Sequence, residues 1–249
     1  MIFSIATREL RSLFFSPLAW IILAITQVIL AWVFFSSIDV FFNLQAELAT
    51  VANAPGVTDL IISPLLETAS ILLLMITPLL TMKLISEEQR NKTLSLLISS
   101  PINISEIVLG KFLGIVFFMM IFILIISAMP FSLMMGTDID VGKTLSGLLG
   151  LLLLLCAISA AGLYMSSLTD NPTIAAISTF GLLLLLWIMN NNANAPDTTS
   201  ILNYLSLTSH FTNLLRGVLQ SADIAYFILF ISGFLVLTIR QMETRRLQA

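Results

Sequence analysis

Charge is scarce in this sequence. Asp, Glu, Lys and Arg together make up 10% of its 249 residues, against about 25% in ordinary soluble domains. That scarcity excludes a surface solvated on all sides. The formal net charge of −3 supplies no basic field for nucleic acid. There is one cysteine, Cys156, so no disulfide can close within the chain and the redox compartment is unread. In LLLLLCAISAAG it reads as a small apolar packing residue. There is one histidine, His210, so no His-based metal site or relay can be assembled within one chain. It reads as a polar residue on a surface helix. No HExxH, no paired intramembrane aspartates and no Gly-Asp motif occur inside an apolar run. No catalytic, cofactor or metal residue is therefore assigned, and the chain does not read as an enzyme. The 11 methionines, with no Cys or His beside them, read as gap fillers between helices rather than soft-metal ligands.

One motif tempts and fails. GTDIDVGKTL contains GKT, but a phosphate-binding loop needs four residues between its glycines, and five separate Gly136 from Gly142. No strand precedes it. Lys143 and Thr144 read instead as the start of a helix.

Apolar residues are what the sequence has in abundance, at 58%. Six runs are near or above the ~20 residues that carry a helix across a bilayer: 17–38, 61–84, 107–135, 143–168, 172–189 and 224–239. In hydrocarbon the backbone must satisfy its own hydrogen bonds, so such runs are helices. The expected fold is a single all-α integral membrane domain over 1–249. The first run follows Arg8 and Arg11, as in a signal peptide, but it is too long and no A-x-A-like site follows, so it reads as a retained span.

Basic residues fall on one side of this plan. With six spans, one side holds Arg8, Arg11, Lys83, Arg90, Lys92, Lys111, Arg240, Arg245 and Arg246, leaving only Lys143 and Arg216 for the other. The second side carries Asp39, Glu47, Asp59, Glu67, Asp138, Asp140, Asp197 and Asp223. The positive-inside rule then places both termini in the cytoplasm.

Three further stretches carry information. The start, MIFSIATRELRSLFFS, interleaves Ile2, Ile5, Leu13 and Phe14 with Arg8, Glu9 and Arg11. It reads either as an amphipathic helix in the membrane interface or as a plain charged flank to the first span. Between the last two spans, Tyr204, Leu207, Phe211, Leu214, Leu215 and Val218 recur at helical spacing, interrupted by polar residues and Arg216. One or two short helices in the outer leaflet, or capping a pathway, are expected there, with Tyr204, Phe211 and Arg216 as candidate functional residues. Small residues, Gly110 and Gly114 in a GxxxG and the ladder Gly142, Ser146, Gly150, Ser159–Gly162, allow close helix approach.

The third stretch is the charged break SEEQRNKTLSLLISSPINISEIVLGK between the second and third spans. Glu87, Glu88, Arg90 and Lys92 open it, and Leu94, Leu97 and Ile98 give an apolar face at helical spacing. Pro101 cannot donate a backbone hydrogen bond and pushes Ser100 out of the helical region, ending a short helix. Ser105, before Glu106, reads as the cap of the third span. A short helix with one charged and one apolar face suits a groove on a soluble partner.

The run EEQRNKTLSLLISSPINISEIVLGK resembles the hallmark of ABC-2 type transporter permeases, whose six spans, amphipathic N-terminal helix, cytoplasmic termini and short re-entrant helices match the reading above. The tail from His210 to Arg246 is similar to the ends of the gliding-motility-type and nitrous-oxide-reductase-maturation-type permeases. In one respect the sequence departs: Lys92 stands where relatives usually carry glycine before the threonine, which leaves the turn geometry open.

The resemblance implies a coupling helix moved by a separate ABC ATPase subunit, which would hold the ATP and Mg; this chain would bind neither. It implies contacts to the ATPase from Glu87, Glu88, Arg90 and Thr93, with Leu94 and Leu97 filling its groove, Pro101 shaping the loop and Lys111 anchoring the third span at the interface. It further implies a second permease, identical or related, and leaves room for an auxiliary membrane or periplasmic subunit, in the bacterial inner membrane. The implied function is ATP-driven export or movement of a substrate. The alternative is an anchor that transports nothing and passes ATPase motion to extracytoplasmic partners.

Overall fold

The structure, a computed structural model, describes residues 1–48, 55–92, 103–191 and 206–248. Helix α1 spans Ile2–Phe15, α2 Pro17–Leu48, α3 Ser63–Thr81, α4 Lys83–Arg90, α5 Ile104–Leu133, α6 Val141–Leu168, α7 Pro172–Asn191, α8 Leu207–Leu215 and α9 Ser221–Gln248. A π-helical segment, Thr58–Ile62, leads into α3. No strand occurs among the described residues. The fold is that of an all-α integral membrane protein.

Among the described residues, five stretches are long and apolar enough to cross a bilayer: 17–45, 58–90, 104–133, 141–168 and 221–246. The fifth expected span, α7, is a shorter apolar helix. Contacts between elements nonetheless fix two ends of the bundle. At one end Arg245 of α9 bonds Asp170, just past α6, at 3.0 Å. At the opposite end Ser146, in the first turns of α6, bonds the Leu214 carbonyl of α8 at 2.7 Å. The chain is thus at the arginine-rich end at Asp170 and at the opposite end by Ser206, before α8.

Helix α6 is the centre of the bundle. Of its spanning stretch 67% is buried, against 22% for α2 and for α9, which form the outside. Small residues make that position possible. A Cβ on Gly162 would lie 2.8 Å from Cβ of Thr81, and one on Gly150 would lie 2.9 Å from Cβ of Leu214. The ladder read in the sequence is therefore the surface on which α3 and α8 close.

Proline sets the breaks in the second span. Pro64 has no N–H for the Leu60 carbonyl, and the turn before it widens into the π segment. Pro78 likewise leaves the Leu74 carbonyl unpaired within α3, and the helix breaks one turn later at Met82. Two threonines bond back onto the helix in this region, which favours a bend: Thr77 Oγ1 donates to the Leu73 carbonyl at 2.6 Å and Thr81 Oγ1 to that of Thr77 at 3.1 Å.

Several expected boundaries move. Helix α2 continues past residue 38 to Leu48, and its 32 residues at 1.5 Å each make about 48 Å, longer than a hydrocarbon core of about 30 Å. Ser105 does not cap the third span. Asn103 holds that position with extended backbone and no side-chain bond, and Ser105 lies inside the first turn. The GKT segment opens α6 as expected: the Asp140 carboxylate accepts from Lys143 N–H at 3.0 Å, an N-cap, and Lys143 Nζ pairs with Asp59.

Candidate functional site

The charged break begins as α4, which continues α3 beyond the apolar stretch. Leu84, Ile85 and Ser86 are buried, while Lys83, Glu87 and Arg90 are exposed. Three neighbouring elements hold this helix. Lys111, one turn and more into α5, has its side chain 1% exposed; its Nζ lies 2.8 Å from Glu88 Oε1 on α4 and 3.0 Å from Glu9 Oε1 on α1. Arg8 Nη2 lies 3.1 Å from Glu9 Oε1 and 3.5 Å from Glu88 Oε1. Two cations and two carboxylates thus tie the N-terminal helix, α4 and α5 into one cluster. An ammonium this buried needs such partners, because taking it out of water alone costs several kcal/mol.

The second tie is at Met82. The Ser166 hydroxyl on α6 accepts from the N–H groups of Ile85 at 3.1 Å and Ser86 at 3.0 Å, and donates to the Met82 carbonyl at 2.9 Å. One fully buried hydroxyl therefore bonds the residue at the break and the first turn of α4. Close by, Gln89 Nε2 donates to the Ser167 carbonyl at 3.2 Å. Arg245 of α9 completes this end by donating to the Leu168 carbonyl at 2.9 Å beside its bond to Asp170, so an arginine neutralises the C-terminus of α6.

Helix α1 is an amphipathic helix docked on the bundle. It lies so close to α5 that a Cβ on Gly110 would be 2.7 Å from Ile5 Cβ, and one on Gly114 2.7 Å from Glu9 Cβ. The GxxxG is the seat of α1. Phe14 packs edge-on against Trp20 at 5.7 Å and Phe118 at 5.4 Å, and Trp20 Nε1 donates to the Phe14 carbonyl at 2.7 Å.

Lys92 answers the question its position raised. Its φ is +57°, the left-handed conformation that closes a helix C-terminus and that glycine adopts without steric cost. It follows the Asn91 cap of α4, and its N–H bonds the Gln89 carbonyl at 3.0 Å. The turn keeps the geometry of a glycine turn with a lysine in it. Thr93, Leu94, Leu97 and Pro101 lie outside the described residues, as does Tyr204.

At the opposite end, Phe211 is buried under α6 and Arg216 is exposed. His210 corrects its expected place on a surface: it is 5% exposed, its Nδ1 lies 2.5 Å from Asp223 Oδ1, and its ring stacks on Tyr226 at 4.2 Å. The pair pins α8 to the start of α9. Sequence reading missed this pair, together with Ser166 and Glu9. The sole histidine and an aspartate at the head of an apolar run were the available signal for the pair; nothing marked Ser166. Among the described residues no group of three or more His, Cys, Asp or Glu is placed to hold a metal ion.

A helical bundle with several apolar helices of membrane-crossing length, a docked amphipathic N-terminal helix and a charged helix tied in at one end is the architecture of a multi-pass membrane component. The comparison with known families agrees: residues 3–244 match the family described as ABC-2 family transporter protein. The chain belongs to that family, the membrane-embedded permease subunits of ABC transporters, and membership implies an ABC ATPase as partner. Among curated proteins none matches the chain.

Proposed function

We propose that this permease converts ATP hydrolysis by a separate ATPase subunit into movement of a substrate across the inner membrane, and that the ATPase engages α4 and the loop that follows it. The observation that carries this reading is the tethering of α4. A helix whose hinge is bonded to α6 through Ser166, and whose middle is bonded to α1 and α5 through Glu88 and Lys111, passes a push to three parts of the bundle at once. Glu88, expected to meet the ATPase, faces inward in this arrangement, and Arg90, exposed at the end of α4, is the charge that faces the partner. Thr93, Leu94, Leu97 and Pro101 supply the rest of the contact. Both termini, at the arginine-rich end, lie in the cytoplasm.

Arg90→Glu tests this without touching the internal cluster. The variant is expected to stay folded and in the membrane, while ATP turnover by the co-expressed ATPase loses its permease-dependent stimulation by tenfold or more, the effect of about 1.4 kcal/mol. Turnover equal to that of the unaltered pair would remove α4 from the contact. A periplasmic-side partner co-purifying with a complex that moves nothing would select the alternative, an anchor that transmits motion.

A further inference from the structure

At the arginine-rich end a cavity of about 570 Å³ opens between α1, the first turn of α2, the end of α3 and α4. Its size is that of small-molecule sites, about 300–1,000 Å³. One wall is apolar, with Leu13 of α1, Leu18 of α2 and Leu79, Leu80 and Leu84 of the α3–α4 junction. Much of the rest of the lining is polar, with Lys83, Glu87 and Asn91 beside the four residues of the Lys111 cluster. The cavity sits where α2 begins its apolar stretch and α3 ends its own, beside an amphipathic helix. That is headgroup depth, and the molecule present there at high concentration with one apolar and one polar end is a phospholipid.

Charge selects which phospholipid. Arg8, Lys111, Glu9 and Glu88 balance within their own cluster. Lys83 and Glu87, one turn apart on α4 and both exposed, form no ion pair among the described residues. The lining therefore offers one free cation and one free anion, which complements a zwitterion better than an anionic headgroup. A carboxylate beside the Asn91 side chain favours an ammonium with N–H groups to donate, which phosphatidylethanolamine has and phosphatidylcholine lacks.

We propose that this cavity binds a phospholipid with a primary-ammonium headgroup, its phosphate at Lys83, its ammonium at Glu87 and its glycerol and acyl end along the leucine wall. Glu87, expected from the sequence to face the ATPase, is given to the lipid. The site would place a membrane lipid in contact with both halves of the α3–α4 junction.

The test is native mass spectrometry of the delipidated full chain in detergent, titrated separately with palmitoyl-oleoyl phosphatidylethanolamine, phosphatidylcholine and phosphatidylglycerol. Phosphatidylethanolamine is expected to bind about fivefold more tightly than phosphatidylcholine, the scale of one exposed charge-assisted contact. Glu87→Gln should bring that ratio close to one. Lys83→Met should weaken both zwitterionic lipids alike, because both carry the phosphate. Both side chains are exposed, so the variants keep the fold, and circular dichroism with size-exclusion chromatography checks this. Equal binding of the two zwitterions, a preference for phosphatidylglycerol, or a preference that survives Glu87→Gln would each overturn the proposal. The measurement uses the permease alone, so its failure leaves the ATPase reading standing, and loss of that reading leaves this site untouched.

Discussion

Ser166 shows how much one hydroxyl can hold in a membrane protein. Its oxygen accepts from Ile85 and Ser86 and its proton goes to the Met82 carbonyl, in a place closed to water. Removing it leaves buried backbone groups without that partner, a cost of about 1–3 kcal/mol. Ser166→Ala is therefore expected to lower the thermal unfolding midpoint in detergent and to speed amide exchange at Ile85 and Ser86 of α4, with α3 as protected as before. Unchanged exchange at those two amides would mean that packing alone holds the joint. Lys111 acts by a different logic. Its burial is no net gain over an apolar residue, but with Glu9 and Glu88 placed around it, the loss of any one partner strands a charge, and so the cluster fixes where three helices meet. Sequence reading placed Lys111 as an anchor of the third span at the interface. Its carboxylate partners were not legible, because Glu9 and Glu88 lie 102 and 23 residues away and only the packed elements bring them together.

Among elements, α1 is the one whose fate the sequence left open. Its amphipathic pattern was visible, and so was GxxxG in the third span, but nothing in the spacing linked the two, because such a motif more often joins one span to another. The structure uses it for a helix that does not cross. The backbone of α5 is bare at Gly110 and Gly114, and α1 settles into that bare strip with Ile5 and Ala6 inward and Arg8 turned toward the ion cluster. Replacing both glycines by alanine puts methyl groups 2.7 Å from Ile5 Cβ and from Glu9 Cβ, closer than carbon atoms pack, and should destabilise docking by about 1–3 kcal/mol. Exchange over residues 2–15 should rise in the double variant while the interior of α6 stays protected. Because Glu9 moves with α1, Lys111 would lose one of its two carboxylates in the same step. Exchange over 2–15 that matches the unaltered chain would mean α1 slides along α5 rather than lifting. Lys92 is the converse case: the sequence departure was plain, and the turn nevertheless keeps a glycine-like φ, because the carbonyls ending α4 need that geometry whichever residue supplies it.

For the whole molecule the decisive element is α7, the weakest of the six expected spans. Its 20 residues come to about 30 Å as a helix, just the thickness of a hydrocarbon core, and composition and length alone would leave five spans. Connectivity argues for six. Asp170 precedes α7 and is bonded to Arg245 near the C-terminus, while α8, which follows it, is bonded to the first turns of α6, so the chain exchanges one end of the bundle for the other between them. Thiol labelling of single cysteines in a Cys156→Ser background decides this. Arg11→Cys, Asn171→Cys and Arg246→Cys, all at exposed positions, should react with a membrane-impermeant maleimide only after the cells are opened. Met135→Cys and Leu219→Cys, also exposed, should react in cells whose inner membrane is intact. Asn171 and Leu219 labelled from the same side would make α7 re-entrant and put the two termini on opposite faces. In that case the tail arginines could not share a compartment with α4, and since Arg245 grips the end of α6 beside the very turn that Ser166 and Gln89 tie to α4, the arginine-rich end as a whole would have to be redrawn.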